Sequence, residues 1–132
     1  MSIELTDKQK PFLMELIGHL QNMEACMATN VNHNDLNSLT AQLASALSLL
    51  AHQGRVVELA VGIFDWAKGQ AVDVVKNDDL KHEVLKMKLS GLLSAHSARF
   101  DRAERTVKAL TTYVDGLRTL ISAEKELSKN LG

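Results

Sequence analysis

The sequence predicts an all-α protein: an antiparallel helical bundle of three shorter helices plus one long C-terminal helix. Three observations carry this. Apolar residues recur in steps of three and four through four separate stretches. Breakers are scarce, one Pro and seven Gly in 132 residues, which suits long helices and not a sheet with many tight turns. Short polar clusters of turn-forming residues, "NVNHND", "HQG" and "KNDD", separate the stretches.

Residues 1–5 read as a loose lead-in. Thr6 and Gln9 have the Thr-x-x-Gln form of a capping box, but Pro11 beyond the first turn would cost a backbone bond. The first helix is therefore expected either from Thr6 with a distortion or regularly from near Lys10, with Pro11 in its first turn. Leu13, Leu16, Ile17, Leu20, Met23 and Met27 mark its apolar face, and it should end near Thr29. Asn34 or Asp35 is placed to cap a second helix carrying Leu36, Leu39, Leu43, Ala46, Leu47 and Leu50, with Gly54 expected at its C-terminal cap. In the third stretch Val57, Leu59, Val61 and Ile63 alternate as a strand would. Val56, Ala60, Ile63, Phe64, Ala67, Ala71, Val74 and Val75 instead keep helical spacing over a length that strands rarely reach, and this decides for helix. Apolar on more than one face, it should be the most buried helix. Asp78 or Asp79 is expected to cap the fourth.

From Leu80 to about Lys129 the chain has no Pro and no loop-like cluster; Gly91 with Ser90, Ser94 and Ser97 is the one place where a break near residues 90–97 is expected if there is one. Along this helix Leu89, Leu93, His96, Phe100, Ala103, Val107, Leu110, Val114, Leu117 and Ile121 form a heptad seam. An unbroken helix here would reach about 75 Å, against about 30 Å for each shorter helix at 1.5 Å per residue. The seam should then outreach its own bundle. The helix breaks and folds back, or another chain covers the remainder. The expectation is a coiled-coil-like oligomerisation or partner-binding helix over about residues 98–130. In a parallel, in-register homodimer Arg99 would face Glu104, and Tyr113 would approach Arg118. His96 reads as a satisfied, partly exposed residue at the edge of the seam, or else as a polar layer that sets register or responds to pH.

The remaining composition limits function more by exclusion. The chain is 45% hydrophobic, 23% charged and only 4% aromatic, so Leu, Val, Ala and Met must fill the core of what is expected to be one domain over residues 1–132. Fifteen basic and sixteen acidic residues leave a net charge of −1, with no bulk attraction to nucleic acid or anionic membrane. The lone Cys26 reads as a buried structural thiol. No apolar run resembles a signal peptide, no uncharged apolar stretch approaches a membrane-spanning length, and "VVELAVGIF" contains Glu58. The expected location is cytoplasmic.

No phosphate-binding Gly-rich loop, nucleophile elbow, Cys-x-x-Cys or Glu-x-x-His pair is present. The five histidines (19, 33, 52, 82 and 96) lack ligand spacing; Glu15 and His19, one turn apart, read as a solvated pair. No catalytic residue, cofactor or metal is expected. Met14, Met23, Met27 and Met87 read as core filling, with a plastic binding groove as the alternative.

Nucleic-acid binding is the rival reading. Residues 25–39, "ACMATNVNHNDLNSL", have the outline of a helix-turn-helix, yet the second helix offers Asn32, His33, Asn34 and Asn37 and no Lys or Arg for phosphate. Arg99, Arg102, Arg105 and Lys108 are interleaved with Asp101 and Glu104, the pattern of a salt-bridged solvated face. The opening "LTDKQKPFL" is similar to the way phage small terminase subunits begin. That likeness covers under a tenth of the chain and identifies no family. It implies, for the alternative, a small DNA-binding protein of phage-terminase or plasmid-accessory type. The favoured expectation is a non-catalytic scaffold, adaptor or assembly component that binds itself or another helical protein, with nucleic acid not favoured as a partner and no membrane.

Overall fold

A computed structural model describes residues 2–131. Four α-helices follow in order: α1 (Lys10–Ala28), α2 (Leu36–Leu50), α3 (Gln53–Val75) and α4 (His82–Leu131), with no strand among the described residues. The protein is an all-α bundle.

The chain enters α1 through a turn in which the Thr6 carbonyl accepts from the backbone N–H groups of Gln9 and Lys10. Regular helix begins at Lys10, so Pro11 falls in the first turn, where its missing N–H costs nothing. Asp35 caps α2: extended at φ −116° and ψ 109°, it accepts from the Asn37 N–H at 3.0 Å. Asn32 forms an Asx-type turn just before it, accepting from Asn34 N at 3.0 Å.

Three boundary expectations are corrected. Gly54 does not terminate α2. Ala51 is the C-cap, in right-handed helical conformation, and α3 has already begun at Gln53. No described residue has positive φ, so the left-handed conformation that favours glycine is not needed there. Neither Asp78 nor Asp79 caps α4, which starts at His82; the Asp78 carboxylate instead accepts from Lys88 Nζ at 2.6 Å. Nor does α4 break at residues 90–97: it is continuous through Gly91. Ser94 Oγ donates to the Gly91 carbonyl at 3.2 Å, inside the helix, while Leu92 and His96 are buried on the inner face, which offsets the roughly 1 kcal/mol that glycine costs a helix.

The helices form two compact units. One takes in the chain up to Ile17 together with Arg55–Glu104; the other takes in Gly18–Gly54 and the chain from Arg105. In the first unit α3 buries Val56, Leu59, Ala60, Ile63, Ala67, Ala71 and Val75. Val74, although it continues the spacing, is exposed. Ala71 and Val75 pack with Leu92 of α4, and Ile3, Leu85, Leu89 and Leu93 close over them. The Phe64 and Phe100 rings meet at 5.2 Å, tilted by 44°. In the second unit Leu20, Met23 and Cys26 of α1, Leu39 and Ala46 of α2, and Leu110, Val114, Leu117 and Ile121 of α4 are buried. Gln42 joins these three helices: its amide donates to the Cys26 carbonyl at 2.8 Å and the Tyr113 hydroxyl at 2.9 Å. Burial pushes the Cys26 thiol above its ordinary range.

Met23 fills core as expected, but Met14 and Met87 do not: both stand in solvent. Averaged hydropathy does single out one membrane-length window, within Leu36–Val75, at 1.2 with 22% of it buried. The turn at Ala51–His52 divides that stretch between α2 and α3.

Candidate interaction surface

The predicted seam is covered by this chain. Ala103, Leu110, Val114, Leu117 and Ile121 are buried, as is His96, while Leu89, Leu93, Phe100 and Val107 are half-buried. Three short helices do line the long one as far as Ile121, whereas Leu127 and Leu131 beyond it are exposed. Helices need not all start at the same end: α3 serves the first stretch of α4, and the end of α1 with α2 serves the second.

Three of the four rim groups expected to pair across a homodimer have partners at home. Tyr113 accepts from Gln42, Arg118 lies 3.7 Å from Asp115, and Arg99 Nη1 is 3.2 Å from His96 Nδ1. His96 is satisfied, as expected, but buried rather than partly exposed. Its Nε2 is 2.6 Å from the Ile3 carbonyl. A carbonyl only accepts and a guanidinium only donates, so the proton belongs on Nε2, and Nδ1 receives Arg99. Ile3 N also donates to the Leu92 carbonyl at 3.2 Å, so this residue is tied to α4 at both its backbone groups.

The helix-turn-helix outline is not met. Between α1 and α2 the connector runs from Thr29 to Asp35, longer than the three- or four-residue turn of a helix-turn-helix. Arg102 and Arg105 are both engaged within the chain, as is Asp101. His19 and His52 are brought together, ring centroids 5.0 Å apart, but Glu15 turns to Arg55 instead. No group of three or more His, Cys, Asp and Glu among the described residues could hold a metal ion.

A different surface stands out in the first unit. A concavity of about 270 Å³ lies between the start of α1 and the face of α3, lined by Gln9, Phe12, Arg55, Glu58, Leu59, Gly62, Ile63 and Trp66. On α3 the spacing Arg55, Glu58, Gly62, Trp66 keeps one stripe beside the buried face. Leu59 and Ile63, both buried, form its apolar floor, Trp66 is half-buried, and Phe12 is 41% exposed. Gly62 has ordinary helical φ, and a Cβ built on it meets nothing within 4 Å. Its missing side chain leaves the wall open.

Arg55 organises the polar edge. Its Nε donates to both Glu15 oxygens at 3.1 and 3.2 Å, Nη2 donates to Glu15 Oε2 at 2.7 Å, and Nη1 reaches Glu58 at 3.2 Å. The fork holds Glu15 in place across two helices. These bonds, those to Glu15 first, raise the Arg55 pKa further above its ordinary value, so the guanidinium stays charged at any working pH. Two carboxylates against one guanidinium leave the edge acidic by one charge.

Comparisons with protein-family models, curated proteins and solved structures found no match. The surface must speak through its own chemistry. None of Phe12, Arg55 and Trp66 belongs to the expected seam. Trp66 was legible in one respect, as the single Trp of an aromatic-poor chain placed off the apolar stripe of its helix. Phe12 was not, because its neighbour across the gap comes from a helix more than fifty residues further on.

Proposed function

We propose that this protein is a non-catalytic helical scaffold or adaptor that binds protein, a second copy or another helical protein, through the Phe12–Trp66 concavity. The observation that carries this reading is the convergence of the one Trp, an exposed Phe and a fixed Arg over an apolar floor. Interface hot spots favour Trp and Arg, set where neighbouring groups exclude water. The floor and walls offer apolar area, while the Arg55–Glu15–Glu58 edge offers direction and charge.

Two further points support it. The titratable groups at the concavity are two carboxylates and the guanidinium that binds them, with no nucleophile and base in reach of one another. The α4 seam, the obvious alternative surface, already serves as core.

The test is site-specific photo-crosslinking. A benzoylphenylalanine at position 12 should give a defined protein adduct in the native host, identified by mass spectrometry. The same group at exposed Ala109, in the other unit, should not. Absence of any adduct at position 12 beyond that control would end the reading.

A further inference from the structure

The concavity finds complementary chemistry on the surface of this same chain. Leu80, just before α4, is exposed, and in the first two turns of α4 Val84 and Met87, three apart, share one outer stripe. Met87 is 74% exposed, and Met14 on α1 is similarly exposed. Lys81, Lys86 and Lys88 stand around the stripe, with Asp78, Asp79 and Glu83 among them. Lys88 is paired with Asp78, whereas Lys81 and Lys86 form no ion pair among the described residues.

We propose that the concavity receives Met87 of a second copy, with Lys86 of that copy drawn to the acidic edge at Glu58. The inference rests on the reading that the concavity binds protein and names the occupant. Three properties match. About 270 Å³ has room for one long side chain. An unbranched thioether adapts to an irregular gap and makes favourable contacts with aromatic rings, here Phe12 and Trp66. The edge carries one net negative charge, and Glu58 is 72% exposed, open to a second cation besides Arg55. A pairing of two unlike patches either closes, each copy giving and receiving, or runs on into longer assemblies.

Because the chain has a single Trp, its fluorescence reports on the concavity alone. The full chain is followed by light scattering and by Trp66 emission up to about 0.5 mM, where even weak contacts register. The expected result is a molar mass rising with concentration and a blue shift of Trp66 that tracks it. Met87→Asp and Gly62→Leu should each weaken association by about tenfold or more. Both positions are exposed, and at Gly62 a side chain meets open space, so far-ultraviolet circular dichroism should stay that of the wild type. Met14→Asp, on α1 outside the concavity, should associate as the wild type does. A wild type that stays monomeric throughout overturns the inference. Association blocked by Gly62→Leu but indifferent to Met87→Asp also overturns it, and leaves the concavity as a site for another occupant. Association indifferent to both removes the concavity as well.

Discussion

The two units of this protein use the same helical material in different ways. The second, Gly18–Gly54 with the chain from Arg105, spends its apolar residues inward: Leu110, Val114, Leu117 and Ile121 are buried in succession, and its one aromatic, Tyr113, is bound to Gln42. The first, the chain up to Ile17 with Arg55–Glu104, holds the three Phe and the Trp, and keeps Phe12 and Met87 in solvent around an open concavity. The second unit also leaves Leu47, Leu127 and Leu131 in solvent, but no aromatic and no thioether. A region that leaves an aromatic and a thioether outside forgoes the stability that burying them would bring, and has them available for a partner.

The sharpest way to break this contrast is to substitute one exposed and one buried residue of similar chemistry. Leu110 is fully buried, so Leu110→Ala should cost about 2–5 kcal/mol in urea unfolding, and Leu110→Asp should unfold the protein. Met87→Ala should stay within about 0.5 kcal/mol of the wild type. Equal losses at the two positions would show that the units do not differ in this way.

The polar ties inside each unit come next in size. Gln42→Leu removes the donor to Tyr113 and the Cys26 carbonyl and should destabilise by about 1–3 kcal/mol. His96→Leu should cost a similar amount in the first unit. There it should also speed hydrogen exchange at the Ile3 amide, since the partner of the Ile3 carbonyl is lost. An unchanged exchange rate at Ile3 would mean that His96 does not hold that residue.

Smaller still, Gly91→Ala should stabilise by up to about 1 kcal/mol, because α4 is continuous there, the φ is ordinary and a Cβ meets open space. A loss of stability would place the break in α4 that the continuous helix rules out.

The least effect belongs to Cys26. Burial raises its pKa, so on alkaline titration the unfolded thiol ionises first, from about 8.5. Above that pH the unfolded state binds fewer protons than the folded one, and stability should fall as pH rises. Cys26→Ala should flatten that part of the unfolding profile, and a slope unchanged by the substitution would exclude the thiol as its cause.

Much of the fold was legible in the residues. The apolar spacing in steps of three and four, the Asp35 cap, the placement of Pro11 in the first turn of α1 and the unbroken run after His82 are local matters, set by contacts within a turn or two of helix. Val56, Ala60, Ile63, Ala67, Ala71 and Val75 were marked as core on α3 and are core. Which surface covers which stripe is not a local property. Periodicity shows that Leu110 and Leu117 must be buried, but a helix of this chain and a helix of another would satisfy them equally, and only the tertiary arrangement puts α1 and α2 on that stretch of α4. The concavity belongs to the same class. Phe12 and Trp66 stand far apart in sequence, and Arg55 reaches Glu15 across forty residues; no helical period links them. Sequence alone determined four helices and the side of each that turns inward, because burying an apolar stripe is required of any single helix. Tertiary structure alone decided what lies against each stripe and what remains open between α1 and α3, because that depends on where the turns send the helices.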